Sequence, residues 1–194
     1  MTVSDLPHLT VTGINRKCCT IHYDASLWVD ENWPGCLYLG TGRFIWGRFR
    51  DVKATERICS FYPDKAKEMT VLKPGARYRF LDGYWGQRAE LVLKEGRCWE
   101  RVLFEPSDMV CFPMKEGGLM GTRLSKDAPA GGEVVPGGWD HEHCDICWQT
   151  IGPGGEPYGF LSKPDKWVCE ECYTNFVIPR SLAFITYQRW LPFD

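Results

Sequence analysis

Residues 144–147 read Cys-Asp-Ile-Cys and residues 169–172 read Cys-Glu-Glu-Cys. Together they form the pattern Cys144-x2-Cys147-x21-Cys169-x2-Cys172. A CxxC turn presents two thiolates from one compact loop, and zinc takes four soft ligands in a tetrahedron. Two such turns about twenty residues apart therefore predict one structural zinc ion with a closed coordination sphere. The simplest consequence is a metal staple for a domain too small to hold itself together.

The residues between the two turns fit that expectation. Trp148-Gln-Thr-Ile151 can leave the first turn as a strand, Gly152-Pro-Gly-Gly155 can reverse it, and Tyr158-Gly-Phe160 and Trp167-Val168 can return to the second. From Cys169 to Pro179 there are few helix breakers. Cys169, Cys172 and Phe176 would share one helical face, and Glu170 and Glu171 would sit at a helix N-terminus, where negative charge is favoured. A hairpin followed by a helix whose first turn carries the second ligand pair resembles the treble-clef zinc finger, over Trp139 to Pro179. His141 and His143 flank the first turn and are the alternative ligands should a cysteine be displaced.

Outward from this module the composition changes. Lys115 to Gly138 is rich in glycine, with prolines at 129 and 136, which predicts a linker or a long irregular excursion. That sets a β-rich domain at 1–112, a linker at 113–138 and a zinc-binding domain at 139–194. In the first part, Leu9–Ile14 and Cys19–Tyr23 alternate apolar and polar residues with period two, as half-buried strands do. Cys36–Leu39, Arg43–Trp46 and Arg77–Leu81 read as further short strands, as do Ala89–Leu93 and Cys98–Phe104, with Asp82-Gly83 as a hairpin turn between two of them. Only Asp64–Met69 favours a helical turn. The fold class expected is mainly β, a small barrel or rolled antiparallel sheet, with a C-terminal treble-clef-like α+β module. The scattered thiols Cys18, Cys19, Cys36, Cys59, Cys98 and Cys111 are expected to be buried small hydrophobes.

Charge and motifs exclude several chemistries. The 194-residue chain has 23 Lys+Arg against 25 Asp+Glu, a net charge of −2, so no global field attracts phosphate. Residues 139–194 hold four basic and eight acidic side chains, which disfavours nucleic acid as the module's ligand. The cluster Arg43, Arg48, Arg50, Lys53 and Arg57, interleaved with Phe44, Trp46 and Phe49, keeps a nucleic-acid-binding or regulatory zinc-finger protein as the alternative. A catalytic zinc site keeps a position for water, which this quartet lacks. There is no HExxH, no zinc-deaminase pattern, no G-x-S-x-G and no G-x-x-x-x-G-K-[ST]. His8, His22, Asp24, Glu90 and Glu100 are acid–base candidates that nothing pairs into a site. The expectation is no enzyme and no small-molecule substrate. No apolar run is long enough to span a bilayer, and the start lacks a secretory signal pattern. A cytoplasmic protein is expected.

The stretch His143-Cys144-x2-Cys147-x3-Ile151, Tyr158-Gly-Phe160 and Trp167-Val-Cys169-x2-Cys172-Tyr173-x2-Phe176 resembles a small zinc domain at the end of bacterial proteins, among them immunity proteins of polymorphic (Rhs-type) toxin systems. The likeness covers the last third of the chain. It implies a non-catalytic cytoplasmic protein whose partner is a cognate toxin, neutralised by direct binding and occlusion of its active site. A rigid aromatic-rich scaffold loses little entropy on binding, and an acidic module complements a basic toxin cleft.

Overall fold

The computed structural model describes residues 2–24, 27, 29–124 and 131–185. The chain divides into two compact units, Met1–Arg97 with Asn175–Asp194, and Cys98–Thr174.

The first unit is built on β1 (His8–Ile14), β2 (Cys19–Tyr23), β3 (Pro34–Gly40), β4 (Arg43–Lys53), β5 (Ile58–Pro63) and β6 (Arg77–Asp82). They form a closed antiparallel barrel in the order β1-β2-β5-β4-β3-β6, with β6 returning to β1 through Leu9↔Tyr78. The period-two expectation holds: Leu9 and Val11 of β1, and Cys19, Ile21 and Tyr23 of β2, point into the core. Phe49, Phe61 and Phe80 fill its centre, with Phe49 5.0 Å from Phe61 and 5.3 Å edge-on to Phe80. Gly35 makes room for them, because a Cβ there would lie 2.9 Å from the Phe49 ring and 3.0 Å from that of Phe80. Closure leaves the sheet no free edge.

One segment departs from the sequence expectation. Gly83–Leu93 is an α-helix, α1, where Asp82-Gly83 suggests a hairpin turn and Ala89–Leu93 a strand. Asp82 is the reason: its Oδ1 accepts from the backbone N–H of Tyr84 at 2.8 Å and of Trp85 at 3.0 Å, so it caps a helix instead of turning a hairpin. Ala89, Leu91, Val92 and Leu93 then form a buried stripe. The expected helical turn at Asp64–Met69 is present as a 3-10 turn over Ala66–Val71.

The second unit contains β7 (Glu100–Leu103), β8 (Ser107–Pro113), β9 (Leu119–Arg123), β10 (Glu133–Trp139), β11 (Glu142–His143), β12 (Thr150–Ile151), β13 (Tyr158–Ser162), β14 (Lys166–Val168) and α2 (Glu170–Cys172). It holds the three-stranded sheets β10-β8-β9 and β14-β13-β7 and the pair β11-β12. Among the described residues of the linker expected at 113–138, 119–123 and 133–138 are strand, with β9 and β10 flanking β8. Strand β7, placed by the sequence reading in the first domain, pairs with β13 through Gly159↔Val102 and Phe160↔Arg101. The division falls at 97/98, and residues 175–185 group with the barrel. Residues 125–130 of the expected linker and 186–194 of the expected zinc-binding domain lie outside the described residues. Among the described residues, no helix is long and apolar enough to cross a membrane.

Candidate metal centre

The hairpin β13–β14 and the two CxxC turns build the site. Trp167, Val168, Ile151, Ile146 and Phe104 are buried beneath it, with the Phe104 and Trp167 rings meeting edge to face at 6.0 Å. Gly159 permits this packing, because a Cβ would stand 3.0 Å from both Ile151 and Trp167.

The first turn is closed by its own backbone. Cys144 N–H donates to the Gln149 carbonyl at 2.8 Å, and Trp148 N–H donates to that of Cys144 at 2.9 Å. Backbone N–H groups also reach the sulfurs, Ile146 to Cys144 Sγ at 3.4 Å and Gln149 to Cys147 Sγ at 3.5 Å. Amides aimed at sulfur favour the thiolate form that binds metal. Trp148 pays for the tight turn with a left-handed backbone, φ 69°, where glycine is the usual occupant. The second turn opens α2, where Cys169 is the cap and its Sγ accepts from Cys172 N–H at 3.4 Å. The expected continuous helix is instead one α turn followed by a π-helical turn over Tyr173–Val177. Glu170 and Glu171 do stand in the first turn, and Glu156 accepts from the Glu170 N–H at 3.1 Å.

The four sulfur atoms of Cys144, Cys147, Cys169 and Cys172 all lie within 4.8 Å of one another. Cys147 Sγ and Cys169 Sγ are 3.6 Å apart, far beyond a disulfide bond and close to the edge of about 3.8 Å that a tetrahedron with metal–sulfur bonds of ~2.3 Å would have. Cys144, Cys169 and Cys172 are buried and Cys147 is exposed. As thiols they share protons unequally: hydrogen bonds from Cys169 and Cys172 draw Cys144 down to about 2. The bond to Cys144 pushes Cys169 up to about 12 and raises Cys172 as well. Hydrogen bonds to the Cys144 sulfur thus hold protons on Cys169 and Cys172, and a divalent ion would displace them. The donor set fits a single soft-ligand metal ion.

The other sequence candidates are used differently. His141 Nδ1 is 2.6 Å from Asp140 Oδ1 and His143 Nδ1 is 3.1 Å from the Trp148 carbonyl, and neither joins the quartet. Glu90 accepts from Trp46 Nε1 at 3.0 Å and pairs with Lys94 at 2.8 Å, while His8 meets Arg79 at 3.2 Å. Among the described residues, His22, Asp24 and Glu100 are not drawn into a cluster of metal-donor groups. Of the scattered thiols, Cys98 alone is exposed. Burial pushes Cys19 and Cys59 up to about 12, as expected of inert core thiols. Sequence reasoning overlooked Asp145, inside the first CxxC: its Oδ2 accepts from Trp167 N–H at 2.9 Å, and Oδ1 pairs with Lys166 at 3.3 Å. A short acidic side chain inside a ligand turn was the available signal, since such residues hydrogen-bond nearby backbone.

No family model, curated protein or solved structure matches this chain.

Proposed function

We propose that the quartet holds one structural zinc ion and that the chain is a non-catalytic protein-binding module, most concretely an immunity protein that neutralises a cognate bacterial toxin by covering its active site. The observation that carries the reading is the convergence of four thiols within 4.8 Å. Four thiolates fill a tetrahedral ion and leave it no position at which to activate water. Such an ion supplies folding free energy and rigidity, and a rigid surface loses little entropy on binding. The excess of carboxylates in residues 139–194 favours a basic partner surface and a fast encounter with it. The step from binding module to immunity protein rests on the resemblance of residues 143–176, and it places the protein in the cytoplasm with its toxin.

The competing nucleic-acid reading needs free cations on β4. Two of them are engaged: Arg48 Nη1 donates to the Asn32 carbonyl at 3.2 Å, and Arg50 lies 5.3 Å from the Tyr62 ring centroid. Binding to RNA or DNA that weakens steeply with salt would restore that reading.

The test is co-expression with the toxin-like gene adjacent to this one in its native genome. Growth is restored and the two purified proteins elute as one complex if the reading is correct. Unrelieved toxicity, or no such neighbouring gene, overturns it.

A further inference from the structure

Beside the first CxxC turn lies a cleft of about 400 Å³. Its walls include two indoles, Trp139 and Trp148, and the carboxylates of Asp140, Glu142 and Asp165. Trp148 is 61% exposed although it is the largest side chain type. The ligand turn fixes its backbone, with N–H on the Cys144 carbonyl at 2.9 Å and its own carbonyl 3.1 Å from His143 Nδ1. The His143 ring stands 5.7 Å from the Trp148 ring. Elsewhere in the lining, Trp139 Nε1 donates to Glu142 Oε1 at 2.8 Å, which orients both the ring and the half-buried carboxylate.

The charge of this cleft is one-sided. Its single lysine, Lys166, is already paired with Asp145 at 3.3 Å. Asp140 meets His141 Nδ1 at 2.6 Å, whereas Glu142 and Asp165 have no lysine or arginine among the lining residues to offset them. A metal ion is not the matching ligand: among the described residues, the one group of three or more metal-donor side chains drawn together is the thiol quartet. Aromatic faces beside carboxylates are the combination that takes an organic cation, through the ring quadrupole on one side and charge-assisted hydrogen bonds on the other.

We propose that this cleft is a binding site for a basic side chain, arginine foremost and lysine second, presented by a protein partner. The proposal deepens the reading of the chain as a protein-binding module by naming what one of its sites recognises. Arginine leads because a planar guanidinium can stack on an indole while its N–H groups engage carboxylates, whereas an ammonium offers only a point charge.

The test uses the zinc-loaded full chain and three tripeptides, acetyl-Gly-Arg-Gly-amide, acetyl-Gly-Lys-Gly-amide and acetyl-Gly-Gln-Gly-amide, with the Trp139 and Trp148 indole N–H resonances as readout. Saturable shifts with the arginine peptide, weaker ones with lysine and none with glutamine are expected. Trp148→Gly removes the indole without straining the backbone and should weaken arginine binding about tenfold. Asp165→Asn touches no metal ligand and should weaken it several-fold, so the proposal stays testable if the first variant loses its metal. Absence of saturable shifts, equal binding of the glutamine peptide, or arginine binding unchanged in both zinc-loaded variants overturns it. Arginine binding by a chain that neutralises no toxin removes the immunity reading and keeps the cleft; a toxin complex indifferent to both substitutions does the reverse.

Discussion

Asp145 and Trp167 hold each other twice: Asp145 N–H donates to the Trp167 carbonyl at 2.8 Å, and Trp167 N–H donates to Asp145 Oδ2 at 2.9 Å. One residue lies inside the first ligand turn and the other two positions before the second. The pair therefore fixes the distance between the two halves of the sulfur cluster, independently of any ion.

Asp145→Ala should leave the buried Trp167 N–H without its carboxylate, at a cost of about 1–3 kcal/mol. Groups that position ligands typically contribute ~10–100-fold to metal affinity. Competition against a chromophoric chelator should show a loss of that size, partly recovered in Asp145→Asn, whose side-chain oxygen still accepts from Trp167. Unchanged affinity in the alanine variant would remove Asp145 from the account.

Cys169→Ser should abolish stoichiometric zinc and the near-ultraviolet signal of the packed Trp167, because metal binding and folding are coupled in such modules. Cys98→Ser, at an exposed thiol outside the quartet, should leave zinc content unchanged by elemental analysis. Retained zinc and an unaltered melt in Cys169→Ser would overturn the ligand assignment.

The sequence made the quartet and the barrel's alternating strands legible because both depend on local spacing. Leu9 and Val11, two apart, face inward, and each CxxC closes within its own turn. The rest depended on partners distant in sequence. Asp82-Gly83 suits a hairpin turn as well as a helix start, and only the fold chooses. The glycines between 113 and 138 suggested a linker, yet a Cβ at Gly121 would lie 3.2 Å from Met109 Cγ on the paired strand. Glycine there serves close packing within a sheet, which composition does not distinguish from flexibility.

Asp82 is 4% exposed, and its Oδ2 has no hydrogen-bond partner. Burial raises its pKa above the ordinary value of 3.8. The folded chain therefore holds the proton more tightly than the unfolded one, and this group's contribution to stability falls as pH rises through the interval between the two values. Asp82→Asn keeps an oxygen to cap α1 and should remove that decline, whereas Asp82→Ala loses the cap and should cost about 1 kcal/mol or more. Urea melts between pH 3.5 and 7 measure both; a wild-type decline that persists unchanged in Asp82→Asn would place its origin elsewhere.

Trp148 stands in the left-handed region, which costs a residue with a Cβ about 1–2 kcal/mol. Trp148→Gly should relieve that strain, so the zinc-loaded variant should melt no lower than the parent, while Trp148→Val should melt lower. A glycine variant that lost zinc would show that the indole, and not the backbone, supports the turn.

X-ray absorption at the zinc edge on the purified chain tests the central claim most directly. The account predicts one zinc per chain with four sulfur neighbours at ~2.3 Å and no nitrogen or oxygen in the shell. A light-atom neighbour in the first shell, or thiols joined as disulfides without metal, would contradict it.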